Sequence, residues 1–167
     1  NCDWSSDVCS SDLSSYAVQR NFPVVAVKNR AGKFVLPTSR NVATALTKAT
    51  LNSDRTQNLD GVYTNPAAGA YPISSYSYMI VPNKTGLAAD KTAVLGKFML
   101  YFACEGQQTA SLLGYSPLPK NLVSVVFDAV RNLPAGRPTP PDLTYATCAN
   151  PTLRDDGNLG SEEHTSE

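Results

Sequence analysis

Consecutive hydroxyl side chains are the strongest candidates for chemistry in this sequence. Ser74, Ser75 and Tyr76 could donate hydrogen bonds to an anion or, if activated, attack a substrate. Attack by serine needs an adjacent base such as histidine. The sequence has one histidine, His164, near its C-terminal end. The adjacent acids at 155–156 could hold a metal ion, but acids in a tail rich in glycine and asparagine are usually solvated.

Both ends of the chain resemble translated sequencing-library adapter. Residues 3–12 can be written as GAC TGG AGT TCA GAC GTG TGC TCT TCC GAT, and the reverse complement of that string encodes residues 161–167. We therefore expect residues 1–13 and 160–167 to be adapter-derived, without fold or function. They contain the only tryptophan, the only histidine and two of the four cysteines. The absence of histidine from 14–159 excludes a His-based triad, a histidine metal site and a histidine proton shuttle there.

The remaining stretch carries a positive balance. It holds all fourteen Lys and Arg residues but only eight of the acids, a formal charge of +6. Such a domain suits the handling of anions, although many protein surfaces carry this balance. The sequence has no P-loop, dinucleotide fingerprint, CxxC pair or nucleic-acid module, so we expect no cofactor, no metal and no nucleic-acid partner. No apolar run is long enough to span a bilayer.

Cys104 and Cys148 are the two cysteines that remain. In a secreted protein an even pair suggests one disulfide. Closing a loop of that length would contribute on the order of 4 kcal/mol in the chain-entropy model. The alternative is a pair of free, buried thiols in a cytosolic protein.

The first half of the stretch predicts short strands and one helix. β-Branched residues over 24–27 predict a buried strand, and residues 34–36 predict a second strand after a turn. Thr38 or Ser39 is expected to cap a helix, because a side-chain oxygen there satisfies a free backbone N–H. The apolar stripe of that helix is Val42, Ala45, Leu46 and Ala49. Residues 52–70 are mostly loop.

Residues 71–82 predict a long strand rich in tyrosine and serine. In an extended chain, one face would carry Tyr76, Tyr78 and Ile80. The other face would carry Ser75, Ser77 and Met79.

Amphipathic helices are predicted in the second half. One runs over 91–104 with Asp90 as its cap and a core stripe of Leu95, Phe98, Met99 and Phe102. Residues 107–113 continue or restart a helix that Gly114 can end. The last helix follows Pro119, and its stripe is Leu122, Val125, Val126, Ala129, Val130 and Leu133. The elements together indicate a mixed α/β class.

Three segments, at 32–38, 71–82 and 113–119, resemble in their order and spacing the phosphate-binding proteins of the phosphate ABC transporter. Residues 71–82 look like the strand that recrosses between the lobes of those proteins. Residues 113–119 are similar to the turn before their last helix, and residues 32–38 resemble a segment that precedes a helix of the second lobe. The cysteine pair and the proline-rich tail look like the actinobacterial branch. The resemblance covers nearly all of residues 14–159.

The resemblance implies a fragment of a two-lobed type II periplasmic-binding-protein fold. It implies a non-catalytic, monomeric, extracytoplasmic subunit that captures inorganic phosphate for ABC permease subunits, with a lipid anchor as one option for the missing N-terminus. Family members hold phosphate with helix N-termini, Ser/Thr hydroxyls, an Arg and an Asp. Their Ser-Gly-Thr motif would lie upstream of Ser14, so no phosphate-binding residue is assigned in this chain.

The resemblance also divides the chain into regions. They are adapter at 1–13, the end of the second lobe at 14–70, a crossover or hinge strand at 71–82, the closing helices of the first lobe at 83–145, a Cys-containing tail at 146–159 and adapter at 160–167. Lobe closure needs a few residues that absorb backbone rotation, which makes Ser74, Ser75 and Tyr76 candidate hinge residues. Packing in a sheet is their simpler interpretation. A fold with 71–82 outside any sheet would count against the whole interpretation.

Two alternatives to phosphate capture stay open at this point. The protein could bind another oxyanion, because the ligands lie upstream, or it could be a non-catalytic cell-surface module. A hydrolase would need a base beside Ser74 or Ser75, and residues 14–159 offer no histidine. We expect residues 14–159 alone to be marginally stable and to show no measurable phosphate binding.

Overall fold

Short helices and very short strands make up the described part of the chain. The computed structural model describes residues 14–82 and 86–155, so the adapter-like ranges and Asp156 lie outside it. The helices are α1 Ser14–Arg20, α2 Ser39–Leu46, α3 Asp60–Tyr63, α4 Ala89–Ala103 and α5 Lys120–Arg131. The strands are β1 Val27–Lys28, β2 Phe34–Val35, β3 Thr50–Leu51 and β4 Gln57–Asn58. Turns of 3-10 helix cover Glu105–Thr109, Ser111–Leu113 and Pro151–Leu153. None of these helices is long and apolar enough to cross a membrane.

The strands form two separate antiparallel hairpins. Val27 lies opposite Val35 in the β1–β2 pair, and Thr50 lies opposite Asn58 in the β3–β4 pair. The prediction of a buried strand over 24–27 was wrong, because only Val27 belongs to a strand and Val25 is 78% exposed. Strands buried on both faces belong to sheets with helices on each side, and a two-residue hairpin offers no such cover.

The start of α2 follows the sequence prediction. Thr38 is its N-cap, and the Thr38 side chain accepts a hydrogen bond from the Asn41 backbone N at 3.3 Å. The apolar side of α2 faces α3 and forms a small cluster whose buried members are Ala45, Leu46, Val62 and Ala70. Val42 and Ala49 pack against this cluster, so the predicted apolar stripe of α2 is confirmed.

Helices α4 and α5 pack side by side and form the largest helical contact among the described elements. The predicted stripe of α5 is confirmed in outline, since Leu122, Val130 and Leu133 are buried. The helix predicted over 91–104 is confirmed as α4, but its cap differs from the prediction. It begins at Ala89 with Ala88 as an N-cap that makes no side-chain hydrogen bond, and Asp90 lies in the first turn.

The predicted core stripe of α4 was wrong for its two phenylalanines. Phe98 is 52% exposed and Phe102 is 41% exposed, whereas Gly96, Met99 and Ala103 are buried. Periodicity identifies an apolar face but not the neighbour that covers it. The side of α4 that carries Gly96 is covered here by α5 and by the segment after it, in which Pro138 approaches Gly96.

The strand predicted over 71–82 was also wrong. These residues form no helix and lie outside both hairpins. A strand exists only where neighbouring strands pair with its N–H and C=O groups. The described residues contribute two hairpins of two-residue strands, and neither pairs with this segment.

The 107–113 region was predicted as helix and forms the 3-10 turns instead. Gly114 ends the second turn with φ 77°, in the left-handed conformation that the sequence predicted. A Cβ at Gly114 would lie 2.6 Å from the Ser15 Cα, so this glycine also permits the close approach of α1.

Candidate functional site

Residues 71–82 connect two parts of the molecule that have separate apolar clusters. The N-terminal part, residues 14–76, contains the α2–α3 cluster, and Tyr76 packs against it. The C-terminal part, residues 81–155, contains the α4–α5 contact, and Val81 packs against its cluster of Met99, Val130 and Leu133. The backbone therefore passes from one cluster to the other between Tyr76 and Val81.

The beginning of this segment is attached to the N-terminal part through its tyrosines. The Tyr71 backbone N donates to the Asn41 carbonyl at 3.1 Å. The Tyr76 hydroxyl lies 3.4 Å from the Leu46 carbonyl, to which it donates. The Tyr78 hydroxyl accepts from the Gln57 backbone N at 3.0 Å. All three contacts join 71–78 to α2 and the β3–β4 hairpin.

The candidate hinge residues Ser74, Ser75 and Tyr76 do not converge on a common point. Ser74 is buried, and its hydroxyl donates to the Tyr71 carbonyl at 2.7 Å. Ser75 is exposed. Burial raises the pKa of the Tyr76 phenol far above its usual range, and the nearby Tyr78 adds to the shift. Tyr76 is therefore a neutral hydrogen-bond donor to a carbonyl. Their role as a hinge stays a prediction.

The backbone of this segment makes few hydrogen bonds. No backbone–backbone hydrogen bond joins residues 72–82 to another described residue. The outward side chains are exposed, with Tyr78 at 57% and Ile80 at 95%. The segment between Tyr78 and Val81 therefore makes no backbone–backbone hydrogen bond that a rotation there would break, but such a rotation would separate the Ser116 hydroxyl from the Ser39 carbonyl.

Two buried asparagines hold the loop that precedes the segment. The Asn29 amide nitrogen donates to the carbonyls of Ala68 at 2.8 Å and Ala70 at 3.1 Å. The Asn65 amide nitrogen donates to the Thr44 carbonyl at 3.0 Å. Sequence reasoning missed both residues, because asparagine in a loop has the same sequence signature whether its amide is buried or solvated.

A solvent-open cleft lies between α2 and the start of α5. Its volume is about 670 Å³, and its lining consists of Arg40, Ala43, Thr44, Thr47, Pro119, Lys120, Asn121, Ser124, Leu143 and Thr152. Beside it, the Ser116 hydroxyl donates to the Ser39 carbonyl at 2.8 Å and joins the two parts. The lining contains Arg40 and Lys120 and no acidic residue. The described residues bring no group of three His, Cys, Asp or Glu side chains together for a metal ion.

A disulfide between Cys104 and Cys148 anchors the tail to the end of α4. The sequence prediction of a disulfide is thus confirmed, and the alternative of two free thiols is wrong. Asn150 reinforces the link, since its buried amide donates to the carbonyls of Ala103 at 2.9 Å and Leu118 at 3.1 Å. The Asn150 side-chain oxygen accepts from the Thr152 backbone N at 2.9 Å.

Comparison with known proteins gives one family and several relatives. Residues 10–105 match a PBP superfamily domain, a range that includes the N-terminal part, residues 71–82 and α4. The chain is 35% identical over 113 residues to a phosphate-binding protein PstS of Xylella fastidiosa (strain Temecula1), a match that covers 67% of this chain and 30% of that protein. It is 32% identical over 129 residues to a phosphate-binding protein PstS of Methanocaldococcus jannaschii, covering 70% of this chain and 32% of that protein. No solved structure matches the chain. The chain thus spans about a third of the length of these curated relatives.

Proposed function

The chain belongs to the PBP superfamily, and from that premise we propose that it is part of an extracytoplasmic subunit that captures inorganic phosphate for an ABC importer. The observation that carries the proposal is the identity to phosphate-binding proteins of two distant organisms over about two thirds of this chain. The mixed short strands and helices fit an α/β fragment of a periplasmic-binding-protein fold.

In this proposal residues 71–82 form the connection between two lobes. Residues 14–70 end the second lobe, 83–145 close the first lobe and 146–159 form its disulfide-linked tail, while 1–13 and 160–167 are adapter. The separate clusters on either side of Tyr76–Val81 support this division. The segment lies outside any sheet here, which is the outcome that counts against this interpretation. The relatives found over two thirds of the chain carry the proposal in spite of it, and we infer that the strand partners come from the part of those relatives that this chain does not match.

The proposed protein binds its ligand without chemistry. Phosphate binding would shift the two lobes towards a closed state, and a permease would recognise that state. The phosphate ligands would lie in the unmatched part of the full-length protein. The disulfide supports an oxidising, extracytoplasmic location.

Calorimetry on the full-length protein tests the proposal. We expect one phosphate to bind per protein, and little heat from sulfate, which has no proton to donate at neutral pH. The 167-residue chain should give no phosphate signal, because it lacks the ligands. Absence of phosphate binding by the full-length protein, or preference for another oxyanion, would contradict phosphate as the ligand.

A further inference from the structure

Residues 113–119, the segment that leads into α5, contact two helices of the N-terminal part. The Ser116 hydroxyl donates to the Ser39 carbonyl, at the start of α2, over 2.8 Å. Gly114 lies against α1, where an added Cβ would come within 2.6 Å of the Ser15 Cα. Among the described elements, the largest contact between the two parts joins α1 to the 3-10 turn just before Gly114. The C-terminal part therefore meets the N-terminal part through this segment.

The far end of the segment is fixed within the C-terminal part. The Leu118 backbone N donates to the side-chain oxygen of Gln107 at 2.8 Å. The Leu118 carbonyl accepts from the Asn150 amide at 3.1 Å and from the Thr152 hydroxyl at 2.8 Å. Gln107 and Asn150 are both buried. Because side chains from two other elements hold this one residue, the backbone that carries Ser116 cannot follow α2 when α2 moves.

The contact between Ser116 and Ser39 lies beside the cleft whose walls are α2 and the start of α5. Rotation within residues 78–81 would change the distance between those walls and would separate the two serines. The Ser116 hydroxyl also lies 3.4 Å from the Pro117 carbonyl, a second acceptor in its own part. The contact with Ser39 can therefore open without leaving that hydroxyl unpaired, which makes the opening reversible.

We infer that residues 113–119 form a latch between the two parts. The latch holds the walls of the cleft at the separation described, and it opens before the parts rotate. One hydrogen bond and one close packing contact favour a single arrangement, yet they are weak enough for a ligand with differential affinity to overcome. The inference rests on the division into two parts in the proposed function, and not on which anion is bound.

Distances between two spin labels in the full-length protein test the latch. Lys48→Cys, just after α2, and Lys97→Cys, on α4, carry the labels at exposed positions. In phosphate-free buffer, Ser116→Ala should raise the share of a second interlabel distance by about fivefold, because it removes one hydrogen bond between the parts. Ser124→Ala is the matched control, since that hydroxyl donates to a carbonyl of its own helix. An unchanged distribution in Ser116→Ala, or equal changes in both variants, would overturn the inference.

A second variant tests the packing contact of the latch. With labels at Gln19→Cys on α1 and Lys97→Cys, Gly114→Ala should lengthen the interlabel distance, because the new Cβ meets the Ser15 backbone. Gly106→Ala is its control, since a Cβ there meets only Tyr101 of the same part. An unchanged distance in Gly114→Ala would also overturn the inference, and if that variant fails to fold, the Ser116→Ala measurement decides.

Phosphate titration of the unlabelled full-length protein tests the proposed function separately. The interlabel distances are recorded without phosphate, so they report on the latch even if the protein binds another anion. A protein that binds phosphate while Ser116→Ala leaves the distances unchanged would retain the proposed function and lose the latch.

Discussion

The two parts of the molecule on either side of residues 76–81 are held by different interactions. The N-terminal part relies on short helices, two-residue hairpins and the buried amides of Asn29 and Asn65. The C-terminal part has two longer helices in direct contact, a disulfide and the Asn150 amide. Buried apolar area and a covalent link are less sensitive to small shifts than amide contacts to loop carbonyls. We therefore expect the N-terminal part to open first and the C-terminal part to persist.

Removal of the Cys104–Cys148 disulfide should have the largest effect on the free energy of unfolding, and it should weaken only the C-terminal part. Cys104→Ser with Cys148→Ser releases a loop with a sequence separation of 44 and should lower the free energy of unfolding by about 4 kcal/mol. Urea unfolding followed by hydrogen exchange of the α5 amides measures the loss. A parent with Cys2→Ser and Cys9→Ser is the control, and an unchanged unfolding midpoint would contradict the assignment.

Loss of a buried amide should weaken the N-terminal part alone. Asn65→Ala leaves the Ala67 N–H without its partner and removes one of the donors to the carbonyls of Thr44 and Ala45, at about 1–3 kcal/mol. Hydrogen exchange should speed up in α2 and not in α5. The matched control is Asn52→Ala, an exposed asparagine that bonds the Thr56 hydroxyl. Equal exchange rates of the α2 amides in Asn65→Ala and Asn52→Ala would show that the buried amide stabilises the N-terminal part no more than the exposed one.

The cap of α2 should contribute a smaller amount. Thr38→Ala removes the acceptor of the Asn41 N–H and should lower stability by about 1 kcal/mol. Thr38→Ser retains the hydroxyl and should recover most of that loss in thermal unfolding. If serine and alanine behave alike, the Thr38 hydroxyl does not stabilise the helix.

Tyr76 should make the smallest contribution, visible only at alkaline pH. The folded state raises the pKa of its phenol, chiefly through burial. Tyrosine in the unfolded chain ionises near pH 10. Above about pH 10 the unfolded state therefore releases a proton that the folded state retains, and stability falls as the pH rises. Urea midpoints from pH 9 to 11 should fall less steeply in Tyr76→Phe than in wild type, while the exposed Tyr63→Phe should follow wild type.

Features that depend on a few neighbouring residues could be predicted from the sequence. Thr38 as a cap and Gly114 as a left-handed helix end follow from local backbone chemistry. The disulfide was predicted from the even pair of cysteines, on the condition that the protein is secreted, which the pair alone did not decide. The resemblance of 71–82 and its flanking segments to phosphate-binding proteins agrees with the relatives found over most of the chain.

Features that depend on what packs against a segment could not be predicted. The sequence of 71–82 is suited to a strand, yet its state depends on partner strands that this chain does not provide. The exposure of Phe98 depends on which side of α4 the segment after α5 occupies. The Asn29 amide bonds Ala70, 41 residues away, and no local pattern signals such a partner.

The bond between Cys104 and Cys148 also determines how the chain would respond to tension. A force applied at the two ends would pass through the sulfur–sulfur link and bypass α5. The ring, with its sequence separation of 44, would withhold about 150 Å of contour length until a reductant opened it. A stretched molecule would therefore lengthen in two stages, with the second stage under redox control.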